Sequence, residues 1–194
     1  MANWSQHIRA HEAGHAVARY LLGKRLRRIN VRRHYLGKNH LQGDTKWSLG
    51  RFKLEWPRGL GWYIPKSVRK ELFATISGGI AEFWFFDRAR YHGLDWNTAF
   101  NFVKSHVRNE TLAARYFHEV QLEAFDWFAK ARYMKAVAAV ANALKKKPVM
   151  SGREVEKIIR LTGLKPVKRI ITQPEKSGLV AQSSLLDSAK QKIG

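Results

Sequence analysis

Residues His11-Glu12-Ala13-Gly14-His15 constrain this chain more than any other stretch. The two histidines are four apart. On an α-helix that spacing puts both on one face, a turn from each other, where their imidazoles can reach a single metal ion. Glu12, next to the first histidine, is placed to take a proton from water held by that ion. The segment must therefore be helical for its chemistry. Catalytic sites of this kind use three protein ligands, so the fold must also bring a distant element against the helix. The alternative is an amphipathic helix whose histidines are ordinary surface or core side chains.

The flanking residues favour the helix. Ser5 or Asn3 can cap it, and Ile8, Ala16, Val17, Tyr20 and Leu21 recur at helical spacing. Gly23 ends it, and the basic residues that follow suit the negative end of the helix dipole. Gly14 inside a helix costs about 1 kcal/mol relative to alanine, which implies a packing reason. A second element pressed against the motif would supply one. H-E-x-x-H is the pattern of zinc peptidases.

The rest of the chain restricts how a metal can be held. There are no cysteines, which excludes disulfides and thiolate metal sites, so any ligand must be His, Asp or Glu. With 194 residues the chain is long enough to bury a core without such staples and is read as one domain with a tail. It has no signal-peptide pattern, and its longest apolar runs, 80–86 and 136–144, are too short to span a membrane. A cytoplasmic location is the expectation. The net charge of +21, from 36 basic and 15 acidic residues, attracts an anionic partner such as nucleic acid or an acidic protein. Solvated basic faces with no dedicated partner are the plainer reading.

The patterning predicts a mainly α fold with a small β-hairpin or sheet after the first helix. Strands are expected over 27–34 and 41–47, with a turn between them at 36–39. Residues 48–65 are rich in Gly, Trp and Pro and read as a loop. Its aromatics Trp56, Trp62 and Tyr63, with the adjoining Trp47, line a substrate groove or cover the core. Helices are expected over 66–87 and, after a break at Gly93, over 94–108, with Asp95 near the start. Ser77, Gly78 and Gly79 in the first of these would let another helix approach closely. A long helical stretch over 110–147 carries one break near 129–133 and ends at Pro148. Ser151 and Glu154 form a capping box that opens a short helix to about 161. The domain is read as 1–164, and the polar segment 165–194 as a flexible tail.

Five residues are candidates for the third metal ligand: Asp95, Glu82, His92, His106 and His118. The carboxylates Asp95 and Glu82 are slightly favoured, because each lies in an apolar helix with no basic partner nearby in sequence. A helix cap for Asp95 and a surface acid for Glu82 are the plain alternatives.

The segment His11-Glu12-Ala13-Gly14-His15-Ala16-Val17 resembles the metal helix of the peptidase domain of FtsH-type proteases. Later landmarks follow in the same order. Ile76-Ser77-Gly78-Gly79-Ile80-Ala81-Glu82 resembles that family's Gly-Gly-Arg-Ala-Ala-Glu helix, with Ser77 in place of the first Gly and Gly79 in place of the Arg. Gly93-Leu94-Asp95-Trp96-Asn97-Thr98-Ala99 resembles its Asp-bearing segment. Ala143-Leu144-Lys145 through Ser151-Gly152-Arg153-Glu154-Val155 resembles its closing Leu-turn-Gly-Glu-Glu pattern. The likeness covers roughly residues 8 to 160. It implies zinc held by His11, His15 and Asp95, with Glu12 as general base for peptide-bond hydrolysis of a protein or peptide substrate. Glu82 is then the candidate for orienting a ligand histidine from behind. No counterpart of the family's ATPase module or transmembrane segments is present, so a free-standing peptidase that works without ATP is the expectation. The family's hexameric rings make a homo-oligomer conceivable, with the hexamer left open. The rival reading is a basic nucleic-acid-binding or scaffold protein with a structural or inactive metal site.

Overall fold

In the computed structural model, the described residues are 4–35, 41–47, 66–89, 92–107 and 109–167. Helix α1 (Trp4–Leu21) runs through the centre of the domain, and nearly all its side chains are buried. Its C-terminus closes through Gly23, whose φ of 65° lets the Lys24 N–H reach the Arg19 carbonyl at 2.8 Å and the Gly23 N–H reach that of Tyr20 at 3.1 Å. Ser5, read as one cap for this helix, lies inside its first turn, and Asn3 is outside the described residues.

Strands β1 (Leu26–Tyr35) and β2 (Leu41–Trp47) follow as an antiparallel pair. This is the expected small sheet after the first helix. A third strand, β3 (Val149–Ser151), pairs with the other edge of β1, giving the order β2-β1-β3. Ile29 sits opposite Met150, and both are buried in the core. Three residues after Pro148 are too few to show a period of two, so nothing in the sequence signalled β3.

Helices α2 (Lys66–Phe86), α3 (His92–Lys104), α4 (Glu110–Phe128) and α5 (Ala131–Lys146) follow β2 in the chain. The break between α4 and α5 falls at Ala129 and Lys130, inside the expected window. Helix α6 (Gly152–Leu161) opens with the expected capping box: Ser151 accepts from the Glu154 N–H, and the Glu154 carboxylate accepts from the Ser151 N–H at 2.8 Å. Helix α3 differs from expectation at both ends. Gly93 lies within its first turn rather than before it, and the helix stops at Lys104. Asp95 is therefore a first-turn residue, where its charge also suits the helix dipole.

Helix α1 packs on α2, α5, α6 and the sheet, while α2 also meets α3 and α4. Val17 and Leu21 of α1 share one continuous core with Leu72, Ile76 and Ile80 of α2 and Val137, Val140 and Leu144 of α5. Beyond α6 the chain returns to α1, where the Val167 N–H donates to the Leu21 carbonyl at 3.0 Å. No helix among the described residues is long and apolar enough to cross a membrane. The Trp-rich segment 48–65 and the part of the proposed tail from 168 to 194 lie outside the described residues.

Candidate metal centre

Why α1 and α2 meet so closely is visible in their glycines. A Cβ on Gly14 would lie 2.5 Å from the Ala81 Cβ and 2.7 Å from the Ser77 carbonyl oxygen. A Cβ on Gly78 would lie 2.4 Å from His15 Nε2. Real carbon atoms do not approach so near, so glycine at both positions lets the two backbones close up and leaves space for the His15 ring. The packing reason implied by Gly14 is thus α2 itself.

That contact buries an uncommon series of polar side chains. His7, His11, Glu12, His15 and Arg19 of α1 are all buried, as are Glu71, Ser77 and Glu82 of α2. His7, His11, His15 and Arg19 are each four apart and form one stripe along α1. Buried polar groups need partners, and α2 provides them in antiparallel order. Glu82 meets His7 and His11, the Ala74 carbonyl meets His15, and Glu71 meets Arg19.

The two motif histidines are oriented from behind. His15 Nδ1 lies 2.8 Å from the Ala74 carbonyl, an acceptor only, so it is Nδ1 that carries the proton and donates. His11 Nδ1 faces Glu82 Oε2 at 3.4 Å, a long hydrogen bond. Both rings therefore turn Nε2 to the same side. His11 Nε2 and His15 Nε2 are 3.1 Å apart, and Asp95 Oδ2 of α3 lies 2.8 Å from the first and 3.0 Å from the second. Among the described residues these three form the one group of His, Asp and Glu side chains whose ligand atoms gather closely enough to hold a metal ion.

The triangle they make fits a small divalent cation. Ligand atoms on a tetrahedral ion with bonds of about 2.0–2.1 Å stand about 3.3 Å apart, and on one face of an octahedral ion about 2.9 Å apart. Two imidazoles and a carboxylate form a donor set suited to zinc and to other first-row transition metals. The electrostatics agree with a site prepared for positive charge. Burial pushes the His11 pKa down, but hydrogen bonds to Asp95 and Glu82, with the charges of Glu12 and Asp95, outweigh it and lift it to about 10. Burial pushes the Asp95 carboxyl up, and its attraction to His15 and hydrogen bonds with both rings reverse this, leaving it far below the usual carboxylate range.

The structure separates four of the five third-ligand candidates. Among the described side chains Asp95 alone joins the histidine pair. Glu82 is fully buried but stands behind His11 instead of beside its Nε2. His106 is at the far end of α3, its Nδ1 2.7 Å from the Phe102 carbonyl, and His118 is exposed on α4. The His92 side chain is outside the described residues. Glu12 is buried, and its charge acts on His11. Sequence reasoning passed over His7 and the Arg19–Glu71 pair, although the four-residue spacing from His11 pointed to His7 and Arg19. Nothing in a side-chain pattern could reveal the Ala74 carbonyl. Compared with protein-family models and with curated proteins, the chain matches none.

Proposed function

We propose that this protein is a zinc-dependent metallopeptidase with an FtsH-like peptidase domain, hydrolysing peptide bonds without ATP. The observation that supports this most is the convergence of His11 Nε2, His15 Nε2 and Asp95 Oδ2 on one point, with Glu12 buried next to the first of them. Zinc held there by His11, His15 and Asp95 would supply a Lewis acid for the scissile carbonyl and lower the pKa of water to about 7. The Glu12 carboxylate would accept a proton from the attacking water and deliver it to the amine that leaves as the C–N bond breaks. The Ala74 carbonyl and Glu82 keep the two imidazoles turned with both Nε2 atoms to the same side.

One observation favours a second reading. The net charge of +21 suits a nucleic-acid-binding or scaffold protein, in which the same three ligands would serve structure alone. A structural site needs no base, and Glu12 separates the two. Metal analysis should find close to one zinc per chain. Wild-type protein should cleave unfolded casein without ATP, and Glu12→Gln, which keeps the shape but loses the basic oxygen, should retain zinc and lose at least about 100-fold in rate. Zinc-loaded wild type that cleaves nothing would favour the structural reading. Equal cleavage by both proteins would remove Glu12 from the chemistry.

A further inference from the structure

We propose that His7, one helical turn before the motif, is a positioning residue for the metal centre. It fixes the Glu82 carboxylate, which in turn holds the His11 ring. This inference rests on the metal-site reading above and adds a third imidazole to it, one helical turn before the five residues of the motif.

The two ligand histidines are oriented by different kinds of acceptor. His15 uses the Ala74 carbonyl, a backbone atom that cannot turn without the helix. His11 uses a glutamate side chain, which has three rotatable bonds and holds its place only if something else grips it. His7 is what grips it. His7 Nδ1 lies 2.7 Å from Glu82 Oε1, while Oε2 of the same carboxylate is 3.4 Å from His11 Nδ1. The shorter of these two contacts is the one to His7, so loss of His7 would free one oxygen of the carboxylate whose other oxygen faces His11.

The His7 ring is itself held. It is 1% exposed, and its centroid is 4.1 Å from that of Phe86, one turn beyond Glu82 on α2. Phe86 and Glu82 thus clamp one ring between a face and a charge-bearing edge. Because α1 and α2 run antiparallel, the turn carrying His7 meets the turn carrying Glu82 and Phe86, and the next turn of α1 carries His11. A plain core histidine would need a partner for its Nδ1 and nothing more. Here that partner is the same carboxylate that faces a ligand.

The test uses cobalt(II) in place of zinc, because its visible absorption reports ligand geometry. His7→Phe keeps an aromatic ring against Phe86 and removes the donor. His7→Asn places an amide N–H near the position of Nδ1. Partners behind metal ligands typically contribute 10–100-fold to affinity. His7→Phe is expected to weaken cobalt binding by about 10- to 100-fold and shift the absorption bands, while His7→Asn stays within about threefold of wild type. In a Glu82→Gln background, His7→Phe should add little, since its route to the metal is already cut. If His7→Phe does not fold, His7→Ala takes its place with the same expectation. Wild-type affinity and spectrum in a folded His7→Phe or His7→Ala protein would overturn the proposal, as would full additivity with Glu82→Gln. His11→Ala is the control. If it too binds cobalt like wild type, the metal-site reading has failed; if it loses cobalt while His7→Phe does not, only the role of His7 has.

Discussion

Two clusters of largely buried polar groups lie along the contact between α1 and α2. At one end of the α1–α2 contact, Arg19 and Lys24 each take one oxygen of Glu71. At the other, His11, His15 and Asp95 bring three donor atoms towards a shared point. The first cluster closes on itself: two cations meet one anion, and every contact runs from partner to partner. The second does not close in that way. Its Nε2 atoms face each other at 3.1 Å, an arrangement that two neutral imidazole lone pairs tolerate only with a cation, a proton or an ion, between them. Similar polarity therefore means different things. Opposite charges that meet directly make a structural ion cluster, whereas donor atoms that converge on one point make a candidate metal site.

The largest effect that separates the two ends is loss of metal. Asp95→Ala and His15→Ala should each abolish stoichiometric zinc, read by metal analysis after dialysis, because two ligands do not hold catalytic zinc. Retention of zinc by Asp95→Ala together with loss in Glu82→Ala would transfer the third ligand to Glu82.

The converse change acts on stability alone. Glu71→Gln leaves the Arg19 guanidinium buried opposite a neutral amide, and breaking a buried pair from one side costs about 3–5 kcal/mol. Urea titration should show that loss, while zinc content of the folded protein stays at wild type. Glu71 and Glu82 are three turns apart, about 16 Å along α2. Zinc loss in Glu71→Gln would mean that the two ends are one cooperative unit.

Gly78→Ala tests the join between packing and site. Its Cβ would fall 2.4 Å from His15 Nε2. Overpacking of this kind costs about 1–3 kcal/mol, and here the displaced atom is a ligand, so zinc affinity should fall along with stability. A variant that loses stability but keeps its affinity would show that the His15 ring can shift and still bind.

The smallest effect is a dependence on pH that reverses with metal. His11 has its pKa raised in the fold to about 10 from an ordinary 6.5, so it holds its proton more tightly there than in the unfolded chain. In chelated protein that stabilisation is complete below about pH 6.5 and is lost as pH rises towards 10. Asp95, lowered from 3.8, contributes above that value and loses its contribution as pH falls further. The Tm of chelated protein should therefore be highest between about pH 4 and 6.5. Added zinc needs unprotonated imidazoles, so the stabilisation it brings should grow with pH over the same range. A chelated protein whose Tm climbs steadily from pH 6.5 to 10 would contradict the role given to His11.

Much of this molecule was legible in the order of its residues. The α1 helix, both long strands, the break between α4 and α5 and the Ser151–Glu154 capping box are local features, set by spacing, caps and punctuation within a few residues of one another. The His11–His15 pair belongs with them, since four residues of helix alone put two rings on one face. Gly14 even announced that a neighbour must come close. Other features depended on contacts between residues far apart in the chain, from 59 positions for His15 and Ala74 to 121 for Ile29 and Met150. Asp95 and Glu82 were equal as carboxylates in apolar helices, and only the packing of α2 and α3 on α1 set one beside the Nε2 atoms and the other behind His11. The Ala74 carbonyl and the third strand had no sequence signature of their own, because a backbone oxygen and a three-residue strand carry no period; the spacing of His7 from His11 put it on the right face but could not show that it meets Glu82. Short-range geometry decided which residues could offer a pair of ligand atoms. The packing of α2 and α3 decided which of them converge, because Glu82 of α2 and Asp95 of α3 reach opposite sides of the His11 ring only once those helices are in place.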